Sequence, residues 1–266
     1  MRLDAVLNGL EYAVHGSPAE VSGIAYDSRK VRPGDLFVAI VGQKTDGHEF
    51  VRDARNKGAA AVLVERLLPD LDLTQVVVKD TRYALGIAAA SFYGHPASRL
   101  RVLGVTGTNG KTTTTYLLKS ILEQAGHKVG LIGTIEVLLG SEALEAQRTT
   151  PESLDLHRLF AQMLADGVEY VVMEVSSHAL ELHRTAGVPF AGAVFTNLTQ
   201  DHLDFHRTME DYFAAKTKLF TSLEGPAAVN IDDPWGMRLT ELVPSQVLTF
   251  GVEGQAQFRA RKIELE

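Results

Sequence analysis

Residues 102–113 read VLGVTGTNGKTT: an apolar run enters a glycine-bracketed turn and then sequence suited to a helix. A strand, turn and helix in that order aim backbone N–H groups and the positive helix end at one point, which suits a phosphate. Lys111 can neutralise charge on β- and γ-phosphates, and the Thr112 hydroxyl can ligate magnesium. Gly107 and Gly110 let phosphate approach the backbone. The candidate nucleotide loop is therefore Gly107, Thr108, Asn109, Gly110, Lys111, Thr112 and Thr113. Val105 stands where the longer phosphate-loop pattern has its first glycine, leaving the shorter G-x-x-G-K-T. That match is weak in isolation, since a chance glycine turn also joins strands to helices. The apolar strand before it, and Leu117, Leu118, Ile121 and Leu122 after it, supply the context that favours function.

Working outward, residues from Leu100 onward alternate regularly. Apolar strands are predicted at Arg101–Thr106, Lys128–Gly133, Tyr170–Val175, Ala191–Asn197, Ala227–Ile231 and Gln246–Phe250. Helical patterns fall at Thr112–Gln124, Ser153–Ala165, Met209–Leu223 and Pro234–Leu242. Strands as apolar as YVVMEV, alternating with helices, imply a parallel sheet covered on both faces, with ligands at the carboxyl ends of the strands. Before Leu100 the strands are predicted at Ser22–Ser28, Asp35–Gly42, Ala59–Glu65 and Gln75–Lys79, with helices over His48–Lys57 and Arg82–Tyr93. Gly94-His95-Pro96 ends the second helix, because proline cannot continue it. The expected organisation is α/β: a small N-terminal α/β domain over 1–98, then a phosphate-loop domain over 99–266 with a mainly parallel sheet flanked by helices. The closing residues GVEGQAQFRARKIELE look like the start of another strand, as if a domain were cut.

Composition narrows the function classes. In 266 residues, 45% are hydrophobic and 22% charged, enough apolar material for a packed core. The net charge of −7 comes without a basic run, which argues against nucleic-acid binding through a general field. Cysteine is absent, excluding disulfides and thiolate metal sites. The N-terminus lacks a signal-type apolar core, and no stretch has the length of a membrane span. A cytoplasmic protein is the expectation.

Two further residues join the loop on physical grounds. Glu174 ends an apolar strand, and a carboxylate there needs a partner; magnesium beside phosphate would supply one. His202 follows the strand ending at Asn197, whose carboxyl end is expected on the same sheet edge, and could reach metal or the transferred phosphoryl group. Lys216 and Lys218 sit on one helix but, two residues apart, cannot share a face. The spacing does not separate an active lysine from a solvated one. His178, His183 and His206 read as structural or close to substrate.

These motifs in this order closely resemble the Mur ligases of peptidoglycan synthesis. The matching segments are DSRKVRPGDLFVAIVGQKTDGHEF, GVTGTNGKTTTTYLL, TTPESLDLHRLF, MEVSSHALELHR and TNLTQDHLDFHRTMEDYFAAKTKLF. TTPES and SSHAL resemble the branch that adds the third peptide residue more than the branch that adds D-Ala-D-Ala. A non-catalytic module binding ATP or a UDP-sugar is the rival from another class. The resemblance implies an ATP-dependent amide-bond ligase that activates the D-Glu carboxylate of UDP-N-acetylmuramoyl-L-Ala-D-Glu as an acyl phosphate, for attack by a diamino acid. It implies ATP at Gly107–Thr113, and Mg2+ positioned by Thr112, Glu174 and His202. It further implies that Lys216 is the lysine this family carbamylates, making it a metal ligand, so that Lys111, Glu174, His202 and Lys216 form the catalytic set. Tyr26, Ser28, Gln43, Lys44 and Thr45 would contact the UDP part, and Thr149, Thr150, Ser176 and Arg184 the muramoyl-dipeptide. Arg148 and Leu182 depart from the Asn and Gln of the family pattern. The family's third, amino-acid-binding domain is missing from this sequence, so binding without full turnover is expected of it.

Overall fold

The computed structural model describes residues 1–42, 45–140, 142–221, 223–244 and 246–263. Gln43 and Lys44, expected at the UDP part of the substrate, lie outside the described residues. The chain divides into two compact units. One comprises Met1–Pro96 with Ser153–Arg158 and Leu182–Gly187; the other comprises Ala97–Glu152, Leu159–Glu181 and Val188–Glu266.

The first unit contains α1 (Leu3–Val6), β1 (Ala13–His15), β2 (Gly23–Ala25), β3 (Asp35–Val38), α2 (Val51–Asn56), β4 (Ala61–Val64), β5 (Thr74–Val77) and α3 (Thr81–Phe92). Its sheet has the order β1-β5-β4-β3-β2, parallel except for β1. Alternation within β3 and β4 makes two cores. Leu36, Val38, Ala61 and Leu63 pack with α1 and α3, while Phe37, Val62 and Val64 pack with Val51 and Ala54 of α2. Asp80 caps α3 by accepting from the amides of Arg82 and Tyr83. The sequence reading did not anticipate α1 and β1. Four helical residues, and three strand residues that are all exposed, are too few to show a period.

The second unit contains β6 (Arg101–Thr106), α4 (Lys111–Gln124), β7 (Val129–Ile132), β8 (Glu136–Leu139), β9 (Glu142–Glu145), α5 (Ser153–Ala165), β10 (Tyr170–Glu174), α6 (Ser177–Glu181), β11 (Phe190–Phe195), α7 (Leu203–His206), α8 (Met209–Thr221), β12 (Ala227–Asn230), α9 (Pro234–Thr240), β13 (Val247–Gly251) and β14 (Phe258–Arg259). The opening turns of α5, Ser153–Arg158, group with the first unit. The sheet order is β14-β13-β12-β11-β6-β10-β7-β8-β9. Strands from β14 to β7 run parallel, and β8 and β9 extend the edge as an antiparallel hairpin.

This order makes β6 a switch point. The chain leaves β6 for β7, two positions to one side, and later places β10 between them and β11 on the other side. Ligands in such sheets bind beyond the carboxyl ends of the strands at that point. The register fixes what meets there: Glu174 of β10 pairs with Val105, and Phe195 of β11 with Thr106. The loop after β6, the carboxylate ending β10 and the segment after β11 therefore share one edge.

Candidate active site

The turn after β6 needs its glycines. Gly107 has φ +149°, and a side chain there would strike the Thr196 hydroxyl and crowd the Asn197 backbone at 3.0 Å. Gly110, at φ +84°, is the N-cap of α4, whose first residue is Lys111. The segment following β11 holds the loop open from beneath. The amides of Thr108 and Asn109 donate to Asn197, to its carbonyl and its side-chain oxygen, each at 2.9 Å. Thr196 Oγ1 donates to the Asn109 carbonyl at 2.7 Å. Lys111 folds over the loop and donates to the carbonyls of Gly107 (2.9 Å) and Thr108 (2.7 Å). Burial holds its pKa below the ordinary lysine range, against the opposing pull of Glu174 and Asp201.

Glu174 is 1% exposed and fully engaged. Its Oε1 accepts from the Thr112 hydroxyl at 3.0 Å and from the Thr134 amide at 2.9 Å; Oε2 accepts from the Thr134 hydroxyl at 3.1 Å. Thr150, also buried, donates to the Glu174 carbonyl and accepts from the Ser176 amide. This carboxylate is satisfied by neutral donors rather than by a lysine or arginine.

Lys216 resolves the ambiguity on α8. Its side chain is buried, with Nζ donating to the Gly107 carbonyl at 2.9 Å and lying 4.6 Å from the centre of the Tyr212 ring. Lys218 points away, to an exposed pair with Glu181. Burial, and then the charge of Lys111, bring the Lys216 pKa down to about 7.

His202 adopts a left-handed backbone, φ +52°, at the cap of α7, and its side chain is 46% exposed. Its ring meets His178 edge-on at 4.9 Å between centroids. His206 is turned inward, where its Nε2 lies 2.8 Å from Ser177 Oγ. Burial, and then His178, lower its pKa.

One cleft of about 380 Å³ is lined by Thr108–Thr113, Glu174, His202 and Lys216 together with Thr149 and Ser176. Thr134, Ser177 and Tyr212 also line it. The sequence reading did not single these three out. Tyr212 stands four residues before Lys216 on α8, a spacing that puts both on one helix face. Thr134 follows β7, a strand end on the same sheet edge. Tyr26, Ser28, Thr45 and Arg184 belong to the first unit. There the Tyr26 hydroxyl donates to Asp155 at 2.6 Å, and Ser28 and Arg184 are buried.

Thr112 and Glu174 fit a magnesium ion. Their oxygens are 3.0 Å apart, matching adjacent octahedral ligands at about 2.1 Å from a metal, which also lie about 3 Å apart. Among the described residues no group of three or more His, Cys, Asp or Glu forms a metal cage. Magnesium in phosphoryl-transfer sites takes one or two protein oxygens and draws its other ligands from phosphate and water.

Residues 105–266 match the family described as Mur ligase middle domain, and residues 20–93 match Mur ligase family, catalytic domain. A UDP-N-acetylmuramoyl-L-alanyl-D-glutamate--2,6-diaminopimelate ligase of Clostridium botulinum is 46% identical over 270 residues, covering 100% of this chain and 56% of the relative. The chain thus spans about half the length of the curated relatives it matches. A solved UDP-N-acetylmuramoyl-L-alanyl-D-glutamate--2,6-diaminopimelate ligase superposes with a TM-score of 0.75 at 28% identity, over 88% of this chain and 49% of that one. The MurF ligase of Thermotoga maritima, solved in complex with ADP, gives a TM-score of 0.57 at 27% identity, over 88% of this chain and 51% of that one.

Proposed function

This chain belongs to the Mur ligase family, and on that premise we propose that it is the nucleotide- and substrate-handling portion of an ATP-dependent ligase of peptidoglycan precursor synthesis. Its substrate is UDP-N-acetylmuramoyl-L-Ala-D-Glu, and the incoming amine belongs to a diamino acid, 2,6-diaminopimelate in the names of its relatives. The reading rests on one observation: the phosphate loop, Glu174, His202 and Lys216, from four separate elements, line the same cleft as Thr149 and Ser176.

Gly110 and the start of α4 receive the β- and γ-phosphates, while Asn197 holds the Thr108 and Asn109 amides in place. Lys111 exchanges the carbonyls of its own loop for phosphate oxygens, where its charge offsets the charge that builds on the transferred group. The D-Glu carboxylate attacks the γ-phosphorus in line, giving an acyl phosphate and ADP. The amine of the diamino acid then attacks the acyl carbon, loses a proton and expels inorganic phosphate. Thr112, Glu174 and His202 would hold Mg2+, which would supply neutralisation of phosphate charge. Lys216, as an amine with a depressed pKa, is suited to adding CO2 with release of one proton to solvent; the carbamate so formed would be an anionic oxygen ligand in place of a cation. Thr149, Thr150, Ser176 and Arg184 are assigned to the muramoyl-dipeptide, and Tyr26, Ser28 and the 43–45 turn to the UDP part.

Calorimetric titration with the UDP-dipeptide, its L-alanyl precursor and the tripeptide product tests the assignment. Tightest binding of the dipeptide form is expected. Indifference to all three, with a non-hydrolysable ATP analogue still binding, would withdraw the substrate while leaving the nucleotide site.

A further inference from the structure

Thr134 occupies a junction that the reaction above does not use. It follows β7, and Gly133 before it has no room for a side chain, since a Cβ there would sit 2.7 Å from Glu174 Oε1. The Thr134 amide and hydroxyl reach the two different oxygens of Glu174, at 2.9 and 3.1 Å. Two donors from one residue, one on each oxygen, define the plane of the carboxylate as a single contact cannot. The same hydroxyl lies 3.1 Å from the hydroxyl of Thr149. A hydroxyl has one proton to give. The structure has the Thr134 hydroxyl donating toward both Thr149 and Glu174, so its single proton serves one of the two at a time. The result is a shared donor, Thr134 set between Thr149 and Glu174, with Thr112 donating to the same carboxylate.

A tether holds this junction against the helix of the phosphate loop. Tyr116 of α4 donates its hydroxyl to Glu136 at 2.6 Å, and the Glu136 carbonyl accepts from the Gly133 amide at 3.2 Å. The turn carrying Thr134 is thus tied to α4 on one side and to Glu174 on the other.

We propose that Thr134 is a positioning residue that orients the Glu174 carboxylate for the metal and couples the dipeptide side of the cleft, through Thr149, to its nucleotide side. A substrate group that donates to the Thr149 oxygen in its place would leave the Thr134 proton to Glu174 alone and alter the grip on that carboxylate. Each ligand then changes the affinity for the other by the same factor. The inference rests on the reading of Glu174 as a metal carboxylate and Thr149 as a substrate contact.

The test uses Mn2+ as the probe, its binding to the chain followed by electron paramagnetic resonance with a non-hydrolysable ATP analogue present. Titrations are run with and without the UDP-dipeptide. Thr134→Val keeps the shape and the amide but loses the hydroxyl; Thr134→Ser restores it. Removing a partner that orients a metal ligand costs about 10- to 100-fold in metal affinity. Thr134→Val is expected to lose at least tenfold, and Thr134→Ser to lie near wild type. The factor by which the UDP-dipeptide changes Mn2+ affinity should fall toward one in Thr134→Val. Unchanged Mn2+ affinity in Thr134→Val, or equal losses in the Val and Ser variants, would overturn the positioning role. Independent binding of the two ligands in the wild type would overturn the coupling. Glu174→Gln separates the two levels: wild-type Mn2+ affinity in that variant removes the metal reading itself and the inference with it, whereas a large loss there leaves Thr134 to be judged on its own variants.

Discussion

Lys111 and Lys216 place their amines on the same oxygen, the carbonyl of Gly107, each at 2.9 Å. One comes from the first residue of the helix that follows the loop, the other from α8. Both are screened from water, and for Lys216 burial and then the charge of Lys111 favour loss of the proton. Lys216 is the deeper and its pKa falls to about 7. Under the proposed carbamate reading, this pairing leaves Lys216 an amine able to add CO2 at neutral pH.

Stability should therefore rise with pH above neutrality. The unfolded chain holds the Lys216 proton up to the ordinary lysine range, whereas the folded chain releases it near 7. Between those limits the unfolded state binds more protons, and stability gains up to about 1.4 kcal/mol per pH unit. Below about 7 the penalty is constant. Urea unfolding at pH 7, 8 and 9 should show this slope, reduced in Lys216→Met. Lys218→Met, which breaks only an exposed pair, should change stability by less than about 1 kcal/mol at each pH.

Carbamate formation is the chemical counterpart. With 13C-bicarbonate at pH 8, a carbamate resonance is expected that disappears in Lys216→Arg and persists in Lys218→Arg. The same resonance in all three chains would place the modified lysine elsewhere.

Gly107→Ala should disable the loop. A Cβ there meets the Thr196 hydroxyl and Asn197, and φ +149° is hostile to any L side chain. A destabilisation of about 1–3 kcal/mol is expected from strain alone. Fluorescent ADP binding should fall by more than tenfold in variant chain confirmed folded by circular dichroism. Nucleotide affinity equal to wild type would show that the loop does not cradle phosphate.

Tyr116 offers a spectroscopic check on the tether to the Thr134 turn. Its hydrogen bond to Glu136, and then burial, push its pKa up to about 12. Ultraviolet titration of the phenolate band should contain a component near that pH that is lost in Tyr116→Phe. The same variant should lose about 1 kcal/mol of stability, the usual net worth of one hydrogen bond.

Much of the fold was legible because it is written in short-range patterns. Six apolar strands and four helices of the second unit appear within a few residues of their predicted places, and α5 starts and ends where its pattern does. The hairpin β8–β9 escaped notice: its outer strand, Glu142–Glu145, is wholly exposed and carries no apolar alternation. The short helices α6 and α7 escaped as well, each being little more than one turn. The closing segment does begin a strand, β14, but only two residues long.

From the sequence by itself came the strand–turn–helix around Gly107, the apolar strands buried on both faces, and the residue types able to hold phosphate and metal. Those are properties of neighbours in the chain, where the backbone's own periodicities leave a trace. Which lysine of α8 turns inward, which threonine grips Glu174, and that Lys111 and Lys216 meet on one carbonyl were decided by tertiary structure alone. Lys216 and Gly107 are 109 residues apart in sequence, and Thr134 and Glu174 are 40 apart. Contacts at such separations follow from strand order and register, which no local pattern encodes.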